Sequence, residues 1–421
     1  MPARQLPVRP DAERLQKRAE DLLNRMRDGD ANSLADLREF HPNPPDPSAL
    51  TLADAQLVLA RSYLAPSWTR LMQSCQLIEA IWNDDLDTIR DLVTASPWLL
   101  HEDARIRNSN WGPPLTYAAN LGRDRIIALL HELGARDLET AVDRAALQGK
   151  VGTARWLHKL LGSPRPPAGA LGGPAYTLNL DGTRLMFELG ARVYGDKGEQ
   201  LAPADVVLET DSRKPGAKHA ILEMYVRHGF ALPDTPTMAL HRGRIDLLEA
   251  HLRRDPRLLE RRFTHQEIYP PEIGCHDEIL ATHGTPLAGT TLLHMCVDYD
   301  ELDIARWLIE RGIDVNAKAT VDKDGFGGHT ALFATVVSQP NFWMNHQRTA
   351  QVAPFAELLL AHGAHVNVRA SLRKQLHPGY DEFTMHEYRN VTALSWGQRF
   401  HRKVFVSEPA MRLIAERGGL P

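Results

Sequence analysis

The stretch Gly289–Ala317 reads GTTLLHMCVDYDELDIARWLIERGIDVNA. Thr291 opens a first helical pattern, its hydroxyl placed to accept from backbone N–H groups that lack a partner inside the helix. Leu292, Met295 and Cys296 follow at the spacing of one buried helical face. A second pattern, Ile304, Trp307 and Leu308, ends at Gly312, where glycine takes a left-handed C-cap without strain. Asp314 and Asn316 then favour a tight turn by bonding their own backbone. One helix–turn–helix unit of this size buries too little apolar surface to stand alone, so neighbours must stack on both sides.

Thr291-Leu292-Leu293-His294 and Gly312-Ile313-Asp314-Val315-Asn316-Ala317 stand where an ankyrin repeat carries its T-P-L-H helix start and its G-A-D-V-N-A exit, and the stretch resembles one. The resemblance implies an all-α ankyrin-repeat solenoid, with loops or hairpins projecting to one side. It also implies an activity of binding other proteins, with no chemistry of its own.

Looser copies extend in both directions. Leu77–Leu100 offers a helix pair, Pro114–Ala135 a clearer one, and Thr140–Leu161 a third. The Pro/Gly-rich stretch at 162–174 reads as a long loop between repeats, because Leu178–Ala191 again ends in Leu189-Gly190-Ala191. Degenerate units follow at Asp205–Phe230 and Pro236–Pro256, and then the opening stretch, 328–368 and 390–418, giving about eight or nine units. Residues 1–10 carry three prolines and read as a disordered leader. Residues 11–72 read as a helical segment, opening with an amphipathic helix at 11–27 that carries Leu15, Ala19, Leu22, Leu23 and Met26 on one face. Ala53–Arg61 with Ser67-Trp68 resembles the N-terminal helical segment of some bacterial ankyrin proteins and implies a cap on the stack. Degenerate repeats then occupy 73–260, and repeats with extended insertions occupy 261–421.

A net charge of −4 gives no global field for nucleic acid or an anionic membrane. Cys75, Cys275 and Cys296 are scattered and odd in number, which suits a reducing compartment better than a disulfide framework or a zinc site. The N-terminus lacks a secretory apolar core, and no apolar run approaches the roughly 18 residues of a membrane span. The expectation is a cytoplasmic protein with no nucleic-acid or membrane partner and no cofactor.

Repeat spacing is uneven: Thr291 to Thr330 is 39 residues and Thr330 to Thr392 is 62, against an ankyrin period of about 33. The excess lies in insertions at 263–288, 318–327, 338–354 and 369–389. Insertions in a repeat stack map to one face, often the binding face. These loops hold His265, Glu267, Glu272, His276, Asp277, Glu278 and His283, then Asp322, Lys323 and Asp324. The last holds Arg373, Lys374, His377, Tyr380, Asp381, Glu382, His386, Glu387, Tyr388 and Arg389. Of the 19 histidines, 11 fall in residues 260–401, where an even spread would give about 6, so a site there has to be weighed.

No catalytic motif is completed. His386-Glu387 starts a helical metal pair that Tyr388-Arg389-Asn390 does not finish, and Gly363 separates His362 from His365 at a helix stop. His294 belongs to the repeat's own turn. There is no G-x-S-x-G elbow, no cysteine has an activating local signature, and Gly325-Phe326-Gly327-Gly328 lacks a phosphate-loop lysine. No residue is therefore assigned as catalytic or metal-ligating. An enzyme or metal-dependent site in the loop rim, drawing on His276, Asp298, His329 and Glu387, is the alternative. The favoured reading is a binding module for a protein or peptide. Its groove residues, by repeat register, are Asp298, Tyr299, His329, Arg399, Phe400, His241 and Arg242, a mixture of aromatic, Arg, His and acid side chains suited to anchoring a partner.

Overall fold

The computed structural model describes residues 4–107, 109–276, 283–347, 352–376 and 384–421. Asp277, Glu278, His377, Tyr380, Asp381 and Glu382 lie outside the described residues. The chain divides into two compact units, Met1–Arg165 and Pro166–Pro421. The division falls within the Pro/Gly-rich stretch read from sequence as a loop.

The first unit opens with helices Ala12–Arg27, Ala31–Phe40 and Leu52–Ser62. Asp11, Asp30 and Thr51 cap them, each side chain accepting a backbone N–H three residues on. Leu15, Ala19, Leu22, Leu23 and Met26 are all buried and join Leu37, Val58, Leu59 and Leu71 in one core. Two boundaries differ from the sequence reading. The described part of the leader, residues 4–10, is seated: Leu6 is 1% exposed, Arg105 donates to its carbonyl, and Tyr117 donates to that of Val8. The limit placed after residue 72 falls inside one helix, Trp68–Asn83, because its buried face runs unbroken through Leu71, Cys75, Ile78 and Ile81. That helix pairs with Leu86–Ala95, and Pro114–Leu121/Asp124–Glu132 and Leu138–Leu147/Val151–Leu160 follow.

The second unit repeats the pairing six times, from Gly172–Tyr176/Leu180–Glu188 to Ala393–Arg399/Glu408–Glu416. In the opening repeat the helices are Leu292–Asp298 and Leu302–Glu310, and Gly312 is left-handed at φ 88°. Thr291 occupies the N-cap position, but its hydroxyl bonds His294 Nδ1 at 2.9 Å instead of a backbone N–H. The imidazole takes the hydroxyl because its other nitrogen, Nε2, donates to the His329 carbonyl at 3.3 Å and so fixes the ring. Asn316 turns toward the next repeat, donating to the Gly363 carbonyl and accepting from His365 N–H. Asn367 makes the same two bonds with Gly418 and Leu420.

The insertions have structure of their own. Helix Gln339–His346 fills much of 338–354. Strands β1 (Ala370–Lys374) and β2 (His386–Val391) form an antiparallel hairpin, with Arg373 opposite Glu387 and Lys374 opposite His386. On the other edge of β1, Ser371 bridges to Gly327. No helix among the described residues is long and apolar enough to cross a membrane.

Gly327 sits at φ +117°, and a Cβ there would lie 2.0 Å from the Thr320 carbonyl oxygen. Gly327→Ala should cost about 1–3 kcal/mol through this overlap and the backbone strain. Urea denaturation reads the loss directly; an unchanged midpoint would show that the turn relaxes freely.

Candidate functional site

Two groups of polar side chains converge in the second unit: one buried but for the His219 ring, the other at a cleft between inserted loops.

The buried group centres on Asp298, at the end of helix Leu292–Asp298. Its carboxylate pairs with Arg213 at 3.0 Å, and both side chains are 2% exposed or less. Arg213 Nε also donates to the Asp298 carbonyl at 2.8 Å. Backbone N–H groups of Gly284 and Gln339 donate to Oδ1 at 3.2 and 3.3 Å. One carboxylate therefore fastens a degenerate repeat, the first insertion and the third insertion to the opening repeat. Gly284 permits this approach, since a Cβ there would lie 2.6 Å from Ser338 Cα.

Beside it, Tyr299 donates to the Leu208 carbonyl at 2.8 Å, and its hydroxyl lies 2.8 Å from that of Tyr269. Its ring faces two cations, Arg213 at 4.7 Å and Lys218 at 4.4 Å. The His241 ring meets it edge-on at 4.6 Å. Lys218 Nζ is 2.9 Å from Glu301 Oε1, an ion-pair contact without hydrogen-bond alignment, and His219 Nε2 reaches the same oxygen at 2.7 Å.

Burial sets the charge states. It lowers the Lys218 ammonium, which the Glu301 charge offsets only in part. Burial would raise the Glu301 carboxyl, but the Lys218 and His219 contacts outweigh it and hold it below its usual range. His241 is driven well below 6.5 by burial and then by the Lys218 charge, so it is neutral and donates from Nε2 to the Ile268 carbonyl.

The second group lines a cleft of about 330 Å³. Pro286 and Ala288 come from the first insertion, Gly289 from the start of the opening repeat, Thr320, Asp322, Phe326 and Gly327 from the second insertion, and Leu372, Arg373, Lys374, Gln375 and Met385 from the hairpin insertion. Arg373 is held by Asp322 at 2.7 Å and Asp324 at 3.1 Å. Arg373 and Arg389 both stand over the Phe326 ring, at 4.9 and 4.3 Å from its centre. Buried Lys374 donates to His283 Nδ1 at 2.7 Å, and burial with that neighbouring charge keeps His283 neutral. His329 lies at the cleft floor, 2% exposed, donating from Nε2 to the Pro286 carbonyl at 2.9 Å. Burial lowers it to about 4, and lowers its neighbour His294 to about 3.

Asp298, Tyr299 and His241 thus share the buried group, while His329 lines the cleft. Phe400, 1% exposed, packs on Trp396 and His401 at 4.8 and 4.6 Å. Arg242 bonds Glu223 at 2.6 Å and Arg399 is exposed. Asp298, Tyr299, His241, His329 and Phe400 all lie at 2% exposure or below. Burial leaves these side chains little surface for a partner, and His329 alone among the five lines the cleft beside Thr320. Of the alternative set, His276 bonds Glu209, Asp298 bonds Arg213, and Glu387 pairs with Arg389, so each is engaged with a different neighbour.

Sequence reasoning missed Arg213, Lys218, Glu301 and Tyr269. A signal existed for Lys218. It shares the phase of Ile221, Leu222 and Tyr225, the apolar stripe of helix Pro215–Arg227.

The first unit has a cleft of about 640 Å³ beside Arg9, Asp11 and Glu79. Arg9 there is already bound by Glu79 at 2.7 Å, no histidine lines it, and it offers no comparable convergence.

Comparison with known proteins bears on the fold. Residues 288–320 match the ankyrin-repeat family model. With helix pairs recurring through both units, the all-α ankyrin-repeat fold expected from sequence is the fold of the chain. Among solved structures, the human ASB11 ankyrin repeat domain matches at 15% identity and a TM-score of 0.26, covering 73% of this chain and 99% of that one. No curated protein matches the chain.

A substitution at Asp298 tests the buried group. Asp298→Ala leaves the Arg213 charge and two N–H groups without their acceptor, and should cost about 3–5 kcal/mol in urea denaturation; a loss under about 1 kcal/mol would show that the hub is dispensable.

His294 and His329 titrate lower in the folded chain than the ordinary 6.5. Between about pH 4 and 6.5 the unfolded chain therefore binds more protons, and stability rises with pH there by up to about 1.4 kcal/mol per unit for each imidazole. Stability should be full above pH 6.5 and fall as acid is added toward pH 4. His329→Gln should flatten that slope, and an identical slope in the variant would exclude His329 as a contributor.

Proposed function

We propose that the chain is a non-catalytic binding module that recognises a protein or peptide through the loop rim of its second unit. Ankyrin repeats are in general protein-interaction modules. The observation that carries the reading is the cleft of about 330 Å³ to which three separate insertions contribute. That volume lies at the small end of ligand pockets, the size of one or two anchoring side chains. Phe326, Leu372 and Met385 offer apolar contact, Met385 with half its surface exposed. Arg373 and Asp322 at the same rim supply directional polar groups, the mixture that partner anchors exploit.

The buried ionic group takes a supporting role in this reading. Its carboxylates and cations are already matched in pairs, and neither Asp298 nor Tyr299 lines the clefts beside Arg9, Thr320 and Asp234. Recognition is thereby assigned to the rim, in place of the groove positions that repeat register selects.

Selection of a random peptide display library against the full chain tests the proposal. Enriched peptides should share an anchor residue, and Met385→Asp and Thr320→Arg, both at exposed rim positions, should each weaken them at least about tenfold, as a lost anchor costs more than 1 kcal/mol. Peptides that bind both variants as tightly as wild type would remove the rim from recognition.

A further inference from the structure

Asp205 and Glu209 stand four residues apart on helix Ala204–Glu209, so both carboxylates leave one helical face. His276 is brought to that face by the turn Pro271–Ile273 and left-handed Gly274. The turn is anchored independently, since Gln200 Nε2 donates to the Ile273 carbonyl at 2.8 Å. One ligand atom from each of Asp205, Glu209 and His276 lies within 4.8 Å of the other two. His276 Nδ1 is 2.8 Å from Glu209 Oε2, and His276 N–H donates to Oε1 at 2.5 Å. The Glu209 side chain is 9% exposed and that of His276 is 52% exposed.

We propose that Asp205, Glu209 and His276 form a binding site for a divalent transition-metal cation with the ligand preference of zinc. Two carboxylates and one imidazole are a mixed oxygen–nitrogen set that such ions take and that hard Mg²⁺ and Ca²⁺ do not favour. Zinc binds these groups at about 2.0–2.2 Å, which puts neighbouring ligand atoms about 3–3.5 Å apart in tetrahedral or octahedral geometry. One ligand atom of each side chain already lies within 4.8 Å of the other two, with His276 Nδ1 and Glu209 Oε2 at 2.8 Å.

Electrostatics favours the ion. Among the described residues, His276 is the sole ion-pair partner of either carboxylate. A neutral imidazole would leave two converging negative groups uncompensated, one of them nine-tenths buried. A cation between them removes that repulsion and ties the first insertion to the degenerate repeat at 204–227. Three protein ligands leave at least one coordination position for water or for a donor from a partner.

The test uses the full chain, stripped with a chelator and titrated with Zn²⁺ by calorimetry in a non-chelating buffer. One equivalent should bind and raise the melting temperature. Asp205→Asn and His276→Ala should each weaken that binding at least about tenfold, since even outer-shell changes cost 10–100-fold. Cys275→Ser should leave affinity within about twofold, well below that range. The exposed His276 can be replaced without disturbing the core, so its variant decides the matter even if Asp205→Asn is poorly folded. The proposal is overturned by absence of stoichiometric binding in the wild type. It is equally overturned if His276→Ala binds as wild type, or if Cys275→Ser abolishes binding while His276→Ala retains it.

Discussion

The Asp298 carboxylate is the contact on which the second unit depends. Its two oxygens receive Arg213, Gly284 N–H and Gln339 N–H, groups spread over more than 120 residues of sequence. In a plain helical repeat each unit touches only its neighbours, and stability is a sum of local terms. Asp298 departs from that rule. It holds parts of two insertions and a degenerate repeat to one point, so the unit acquires a long-range constraint that repeat stacking does not supply. Burying such a pair is stabilising only when every donor and acceptor is satisfied, and here the satisfaction comes from backbone groups as much as from the arginine.

That origin explains what could be read from the chain and what could not. The helices were legible: Leu15, Ala19, Leu22, Leu23 and Met26 recur at helical spacing and are the buried face. Gly312 and Asp314 likewise mark a stop and a turn by local chemistry alone. The polar groups were not legible in the same way. Asp298 and Tyr299 stand out in sequence because register places them on the groove side of their repeat. Register says nothing of an insertion returning to cover that side. Gly284 lies against Ser338 although the two are 54 positions apart in sequence, and no local pattern encodes that closure. Phe400 was masked in the same manner, covered by Trp396 and by Tyr388 from the hairpin.

The rim shows the same division. Its position followed from repeat spacing, because surplus residues have to leave the stack somewhere. Its internal order did not. The hairpin pairs the two ends of one insertion, with Arg373 opposite Glu387, and the contacts of Arg373 and Arg389 with the Phe326 ring join two different insertions. Histidine enrichment was a true signal with mixed content. His294 and His329 serve as neutral hydrogen-bonding wedges between repeats, whereas His276 reaches a carboxylate pair on a distant helix.

The paired bonds of Asn316 and Asn367 have a wider consequence. Each asparagine reaches from one repeat exit directly to the next, to Gly363 and His365 or to Gly418 and Leu420. The insertions at 318–327 and 369–389 begin just after these residues, so the clasp bypasses them. Pitch between successive repeats is then set by a two-point amide contact whose length is fixed, whatever the length of chain looped out beyond it. Loop content and repeat spacing become separable variables, and the rim is free to diversify without re-phasing the scaffold that carries it.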